Sequence, residues 1–229
     1  MTHFAQHGAH RRLRVRMQCT VEVGERPACP LVNEPWEAVR AAVHRLAAPC
    51  DLLAARMCEP TPLVPLSDAA RAFAALVFET GCDWLQAVAA LMNAIHRDFE
   101  FDPQATTVTT SVDEVLQHRR GVCQDFAHLM LACLRAHRLP ARYVSGYLLT
   151  EPPPGQPRLV GVDASHAWVA AYAPRCGWVE FDPTNGQLAD ARYITLAWGA
   201  DFADVVPLRG VILGGSEQTL EVSVSVNPG

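Results

Sequence analysis

The sequence predicts an α+β fold in which helices come first and an antiparallel sheet follows. Three observations predict it. Up to Pro140, apolar residues recur at helical spacing, as in Phe126, Leu129, Met130, Cys133 and Leu134 at i, i+3, i+4, i+7 and i+8. After Pro140 the pattern changes to short alternating runs bounded by turn residues. Neither half contains an internal repeat or a low-complexity segment.

The elements follow in order. Leu13 to Val23 alternates as a strand, with Leu13, Val15, Met17 and Cys19 on one face, and Pro27, Pro30 and Pro35 then mark a loop. Trp36, Val39, Val43 and Leu46 give a helix over Trp36 to Ala47, and Pro60, Pro62 and Pro65 mark an irregular stretch. Ser67 and Asp68 start a helix running to about Glu79, and Asp83 opens another that buries Leu85, Val88, Leu91, Met92 and Ile95. Ser111 and Glu114 have the spacing of a capping box for a short helix ending near Arg120 and Gly121. A longer helix starts at Val122 or Cys123, and Pro140 stops it. Strands are expected over Ala141 to Leu149, His166 to Tyr172 and Trp178 to Asp182. The proline-rich run Glu151 to Arg158 forms a surface loop between the first two. Val211 to Leu213 and Gln218 to Val226 read as late strands.

A chain of 229 residues suits one domain, or one domain with a small appendage. A net charge of -5 argues against nucleic acid and anionic membrane surfaces as partners. No apolar run reaches the roughly 20 residues of a membrane span, and Met1 to Arg16 lacks the apolar stretch of a secretory leader, so a cytoplasmic location is expected. None of the eight cysteines forms a CxxC pair, so zinc spacing is absent, no metal or other cofactor is called for, and most thiols are expected to be free core filler. All 19 basic residues are arginine, so the chain carries no lysine of its own to donate in a crosslinking reaction.

Cys123 departs from the core-filler pattern. It follows Gly121-Val122 at a helix start, where unpaired backbone N–H groups favour a thiolate and can stabilise an oxyanion. Gly121 would let a substrate backbone approach closely. A thiolate also needs a base and a proton donor. His3, His7 and His10 lie in the polar N-terminus, and His44, His96, His118 and His137 sit on helices beside charged neighbours, as solvated residues do. His128 lies five residues along the Cys123 helix, about 140° around it, and cannot face the thiol. His166 opens a strand after a long loop, a place that commonly lines a cleft. Asp182 ends the next strand before Pro183-Thr184-Asn185, and a hairpin through Cys176-Gly177 brings it beside His166, where a carboxylate would orient the imidazole. Each residue also has a plain structural reading: a buried cysteine, a hydrogen-bonded histidine, a turn-forming aspartate. Their order on three consecutive elements is the specific signal.

Four segments resemble the transglutaminase-like superfamily of bacterial proteins: Arg120 to His128, Leu139 to Tyr147, Asp163 to Trp168 and Gly177 to Asn185, with a similar tail over Asp201 to Gly210. The resemblance runs from about Trp36 to the C-terminus. It implies a papain-like α+β core with Cys123 as nucleophile, His166 as base and Asp182 as orienter. It also implies a division into residues 1–33, a remnant or truncated N-terminal β region, and residues 34–229, a catalytic domain with its core at about 68–186. Trp168 and Tyr147 are candidate cleft walls, and Asp125 in the first helical turn favours the helix dipole. The implied chemistry is acyl transfer on a peptide or carboxamide through a Cys123 thioester. A peptidase or amidase acting on a peptide or protein substrate is the leading expectation. The alternatives are a protein-glutamine transamidase, a non-catalytic peptide-binding or scaffold module and, more weakly, a redox-sensing thiol; no acidic loop suggests a calcium-dependent crosslinker.

Overall fold

The computed structural model describes residues 5, 7–8, 11–24, 34–46, 49–105, 107, 110–149, 165–207, 210–211 and 222–227. Helices occupy the first half. α1 (Trp36–His44) buries Trp36, Val39 and Val43. α2 (Pro49–Arg56) was not anticipated, because it buries only Asp51 and Ala54 and leaves Leu52 and Leu53 exposed, so no apolar stripe announces it. Its Asp51 accepts a hydrogen bond from the Tyr172 hydroxyl. α3 (Asp68–Ala75) starts at Ser67, whose hydroxyl accepts from the Ala70 N–H. It stops earlier than expected: Leu76 faces solvent, and the chain turns so that Phe78 packs between Trp36 and His137. α4 (Trp84–Asp98) is capped by Asp83, and α5 (Val112–His118) by the reciprocal Ser111–Glu114 bonds. α5 closes through Arg119 in the left-handed region, so Arg120 and Gly121 are free to pair as β2 (Arg120–Gly121) with β1 (Glu100–Phe101).

α6 (Cys123–Ala136) is the central element. It packs on the sheet on one side and on α3, α4 and α5 on the other, so every residue from Asp125 to Ala136 is buried, not one stripe alone. Even Arg135 is enclosed; its guanidinium donates to the carbonyls of Met57, Ala141 and Ala200 and ties three segments together. Burial pulls its pKa down to about 10, with the Asp201 charge opposing.

The sheet is antiparallel, with β3 (Ala141–Leu148), β4 (Ser165–Ala173), β5 (Gly177–Asp182), β6 (Gln187–Leu188) and β7 (Tyr193–Gly199) in the order β6-β5-β4-β3-β7. β3, β4 and β5 match the expected strands. β6 and β7 were not anticipated: β7 lies at an edge, and with Leu196 and Trp198 partly exposed its alternation is faint. A bulge opposite β7 falls between Ser145 and Gly146. A Cβ on Gly146 would strike the Ile194 carbonyl and come within 2.6 Å of the Trp168 ring, so only glycine fits there.

Two expectations fail. Residues 11–24 form no strand, and Leu13, Val15, Met17 and Val21 stand half-exposed. The alternation of Leu13 to Val23 has no ladder to join among the described residues, and a lone strand is not stable. Residues 222–227 likewise carry no strand, while most of the two late strands lies outside the described residues. No helix among the described residues is long and apolar enough to cross a membrane. Cys19, Cys50, Cys58, Cys82, Cys123 and Cys133 are free thiols, and Cys176 is disulfide-bonded. Burial pushes the Cys58 thiol up to about 12 and the Cys133 thiol still higher, so both behave as apolar filler.

Candidate active site

Cys123 is the first residue of α6 and is half-buried. The preceding Val122 is extended and has no side-chain oxygen to cap the helix. Asp125 supplies the cap by reaching back, its Oδ2 accepting the Val122 N–H at 2.8 Å. Gly121 makes this possible, since a Cβ there would lie 2.9 Å from both Cβ and Oδ2 of Asp125. Gly121 is itself buried, and its carbonyl accepts from the Asp102 N–H. Its smallness therefore makes room for the Asp125 cap, not for an approaching substrate backbone.

His166 and Asp182 come from neighbouring strands. The β4–β5 register pairs Val169 with Phe181 and Ala170 with Glu180, so His166 and Asp182 sit on one face, offset diagonally. The offset suits two long side chains: His166 Nε2 lies 2.7 Å from Asp182 Oδ2. The Cys123 thiol lies close enough to the same imidazole to help raise its pKa. With Nε2 committed to Asp182, Nδ1 is the nitrogen left for the thiol. His166 and Asp182 are thus bonded directly, with Cys123 near the imidazole.

The electrostatics favour the charged forms of His166 and Asp182. Burial lowers the pKa of His166, but the Asp182 hydrogen bond and the influence of Asp182 and Cys123 outweigh it and hold the imidazole at about 10. Burial raises that of Asp182, which has no exposed surface, yet its donors win and keep the carboxyl below its ordinary value. Those donors fill the carboxylate. Oδ1 accepts the backbone N–H groups of Thr184 (2.9 Å) and Asn185 (3.2 Å). Oδ2 accepts Asn185 Nδ2 (2.6 Å) and the Tyr193 hydroxyl (2.7 Å) besides His166. Gln187 Nε2 donates in turn to the Tyr193 oxygen at 2.8 Å. His96 on α4 donates from Nδ1 to the Thr184 carbonyl at 2.8 Å and packs on Gly186, locking the turn that follows Asp182.

Sequence reasoning missed Asn185, Gln187, Tyr193 and the role of His96. Asn185 carried a usable signal, the Asp-Pro-Thr-Asn turn, in which an Asp side chain bonds backbone two and three residues on. Tyr193 and Gln187 carried none, because their place depends on β6 and β7. Trp168 stands behind His166, not on an open wall. It is fully buried, its ring is 5.9 Å from the imidazole and 5.3 Å from Tyr193, and its Nε1 donates to Glu180. Tyr147 is half-buried on β3 opposite Ser165, one strand from His166.

His128 is engaged by other partners. Its ring lies against Tyr143, and its Nε2 accepts the Phe202 N–H, a role open only to the neutral ring. Burial depresses its pKa from 6.5 to about 4. The unfolded chain therefore binds this proton below about pH 6.5 and the folded chain does not until about pH 4. Stability should fall across that window by up to ~3 kcal/mol. Half-buried His137, stacked on Phe78, shifts the same way, so neither ring is the solvated residue that the sequence suggested for His137. Urea unfolding at pH 7 and pH 4.5 should show the loss, and His128→Gln should reduce it. An unchanged slope with pH in the variant would refute the assignment.

Comparison with known proteins agrees with this architecture. The profile of the transglutaminase-like superfamily matches residues 71–183. An uncharacterized protein of Mycobacterium tuberculosis is 42% identical over 96% of this chain and 71% of its own length. A protein-glutamine gamma-glutamyltransferase of Pseudomonas aeruginosa is 37% identical over 42% of this chain and 15% of its own length. The crystal structure of a proposed cysteine protease from Cytophaga hutchinsonii superposes with a TM-score of 0.57 at 27% identity, covering 67% of this chain and 49% of that one. This chain thus spans about half the length of the Cytophaga protein.

Proposed function

The chain belongs to the transglutaminase-like superfamily, and from that premise we propose that it is a cysteine-dependent acyl-transfer enzyme with Cys123 as nucleophile, His166 as general base and acid, and Asp182 as orienter. The observation that carries the reading is His166 bonded to the buried Asp182 carboxylate with the Cys123 thiol close enough to influence the same ring. The imidazole takes the thiol proton, and the thiolate attacks the carbonyl carbon of a peptide or carboxamide. The tetrahedral intermediate collapses as His166 returns the proton to the departing amine, leaving a thioester on Cys123. Water attacking that thioester gives hydrolysis, and an amine gives transamidation.

Hydrolysis, as a peptidase or amidase, is the favoured outcome, and the likeness to the Cytophaga protein supports it. The likeness to the Pseudomonas protein-glutamine gamma-glutamyltransferase supports transamidation as the second reading. In that case the amine must come from elsewhere, since the chain has no lysine. The two are separated by incubating the protein with glutamine-containing peptides, with and without a primary amine, and following products by mass spectrometry. Peptide cleavage or ammonia release without amine incorporation is expected. A stable amine adduct would favour the transamidase. No product from wild type, or equal product from Cys123→Ser, would refute the proposal.

A further inference from the structure

The Asp182 carboxylate carries more than a triad needs. Three donors converge on the single oxygen that His166 uses: His166 itself, Asn185 Nδ2 and the Tyr193 hydroxyl. The direction of the Tyr193 hydroxyl is determined by what lies behind it. Gln187 Nε2 donates to the phenol oxygen, so the phenol proton must point at Asp182. The Gln187 amide is oriented in turn, because Arg192 donates to its Oε1 at 3.2 Å and is itself paired with Asp190 at 2.7 Å. A continuous line of bonds thus runs from the Asp190–Arg192 pair at the surface through Gln187 and Tyr193 to Asp182 and His166.

We propose that Tyr193, oriented by Gln187, is a positioning residue that shares the Asp182 oxygen with His166 and so limits how tightly the carboxylate holds the imidazolium. The inference rests on the catalytic reading above. Each further donor on a carboxylate oxygen draws on the same negative charge, leaving less to attract the imidazolium. A carboxylate bonded only to His166 would stabilise the imidazolium so strongly that its Nδ1 proton would pass reluctantly to a leaving amine. Burial, followed by the Asp182 charge, pushes the Tyr193 phenol up, so it remains a neutral donor at any working pH. The groups facing His166 are Asp182 from β5, Cys123 from α6 and Tyr193 from β7, and those facing Asp182 are His166, Tyr193 and Asn185.

Tyr193→Phe keeps the ring against Trp168 and His166 and deletes only the hydroxyl. The probe is iodoacetate, an anion whose attack on the Cys123 thiolate slows as the neighbouring imidazolium loses its charge. The full chain is alkylated across pH 5 to pH 11, with circular dichroism as the fold control. Relative to wild type, the alkaline limb in Tyr193→Phe should move up by about half a pH unit, roughly threefold in the proton dissociation constant. Gln187→Leu, which frees the hydroxyl to turn away, should move it the same way by less. Packing loss alone would not move the limb upward. A wild-type limb that neither variant shifts overturns this inference and leaves the triad standing. No His166-dependent limb in wild type overturns both.

Discussion

Replacing His166 by alanine should lower the alkylation rate of Cys123 at pH 7 to that of a free cysteine and reduce turnover by about a thousandfold or more. The thiol would keep its place at the start of α6 and lose only its proposed base. The variant should still fold, because Asp182 retains four of its five donors: the Thr184 and Asn185 backbone N–H groups, Asn185 Nδ2 and the Tyr193 hydroxyl. It should also lose a pH dependence of stability. The folded-state pKa of His166 lies above its ordinary 6.5, at about 10. Its stabilising contribution is therefore complete below about pH 6.5 and disappears as pH rises through about 10. Wild type should lose stability across that alkaline window by urea unfolding, and His166→Ala should lose less.

Replacing Asp182 by asparagine should reduce turnover by about a hundred- to ten-thousandfold, the range expected when the orienting carboxylate of a triad is neutralised. The effect has two parts. The imidazolium loses the charge that holds it, so the alkaline limb of Cys123 alkylation should move down, opposite in sign to Tyr193→Phe. An amide keeps only one of the two acceptor oxygens that take the bonds from Thr184, Asn185 and Tyr193, so at least one of those buried donors is left without an acceptor. A buried unsatisfied donor costs about 1–3 kcal/mol, so a lower melting temperature should accompany the loss of activity. A variant with normal activity and an unmoved limb would remove Asp182 from the proposed machinery.

Where the sequence could be read and where it could not follows from where each signal lies. Cys123, His166 and Asp182 sit at a helix start, a strand start and a strand end, and such boundaries are marked locally by glycine, a long loop and Asp-Pro. The capping box at Ser111 and the caps at Ser67 and Asp83 were readable for the same reason. α2 hid because its buried side is an alanine and an aspartate. β7 hid because an edge strand half in solvent need not alternate cleanly, and the placement of Tyr193 and Gln187 went with it. Leu13 to Val23 misled in the opposite way, since alternation without a partner strand makes no sheet. At Gly121 the motif shows a small residue but not what fills the space beside it, which is Asp125.

In the proposed mechanism Cys123 and His166 share a proton as a pair. The most direct test follows the His166 ring by nuclear magnetic resonance through a pH titration, in wild type and in Cys123→Ser. The pair predicts that the wild-type ring titrates near pH 10 and that the ring titrates distinctly lower once the thiolate is gone. A His166 that titrates near its ordinary 6.5, or at the same pH in both proteins, would contradict it.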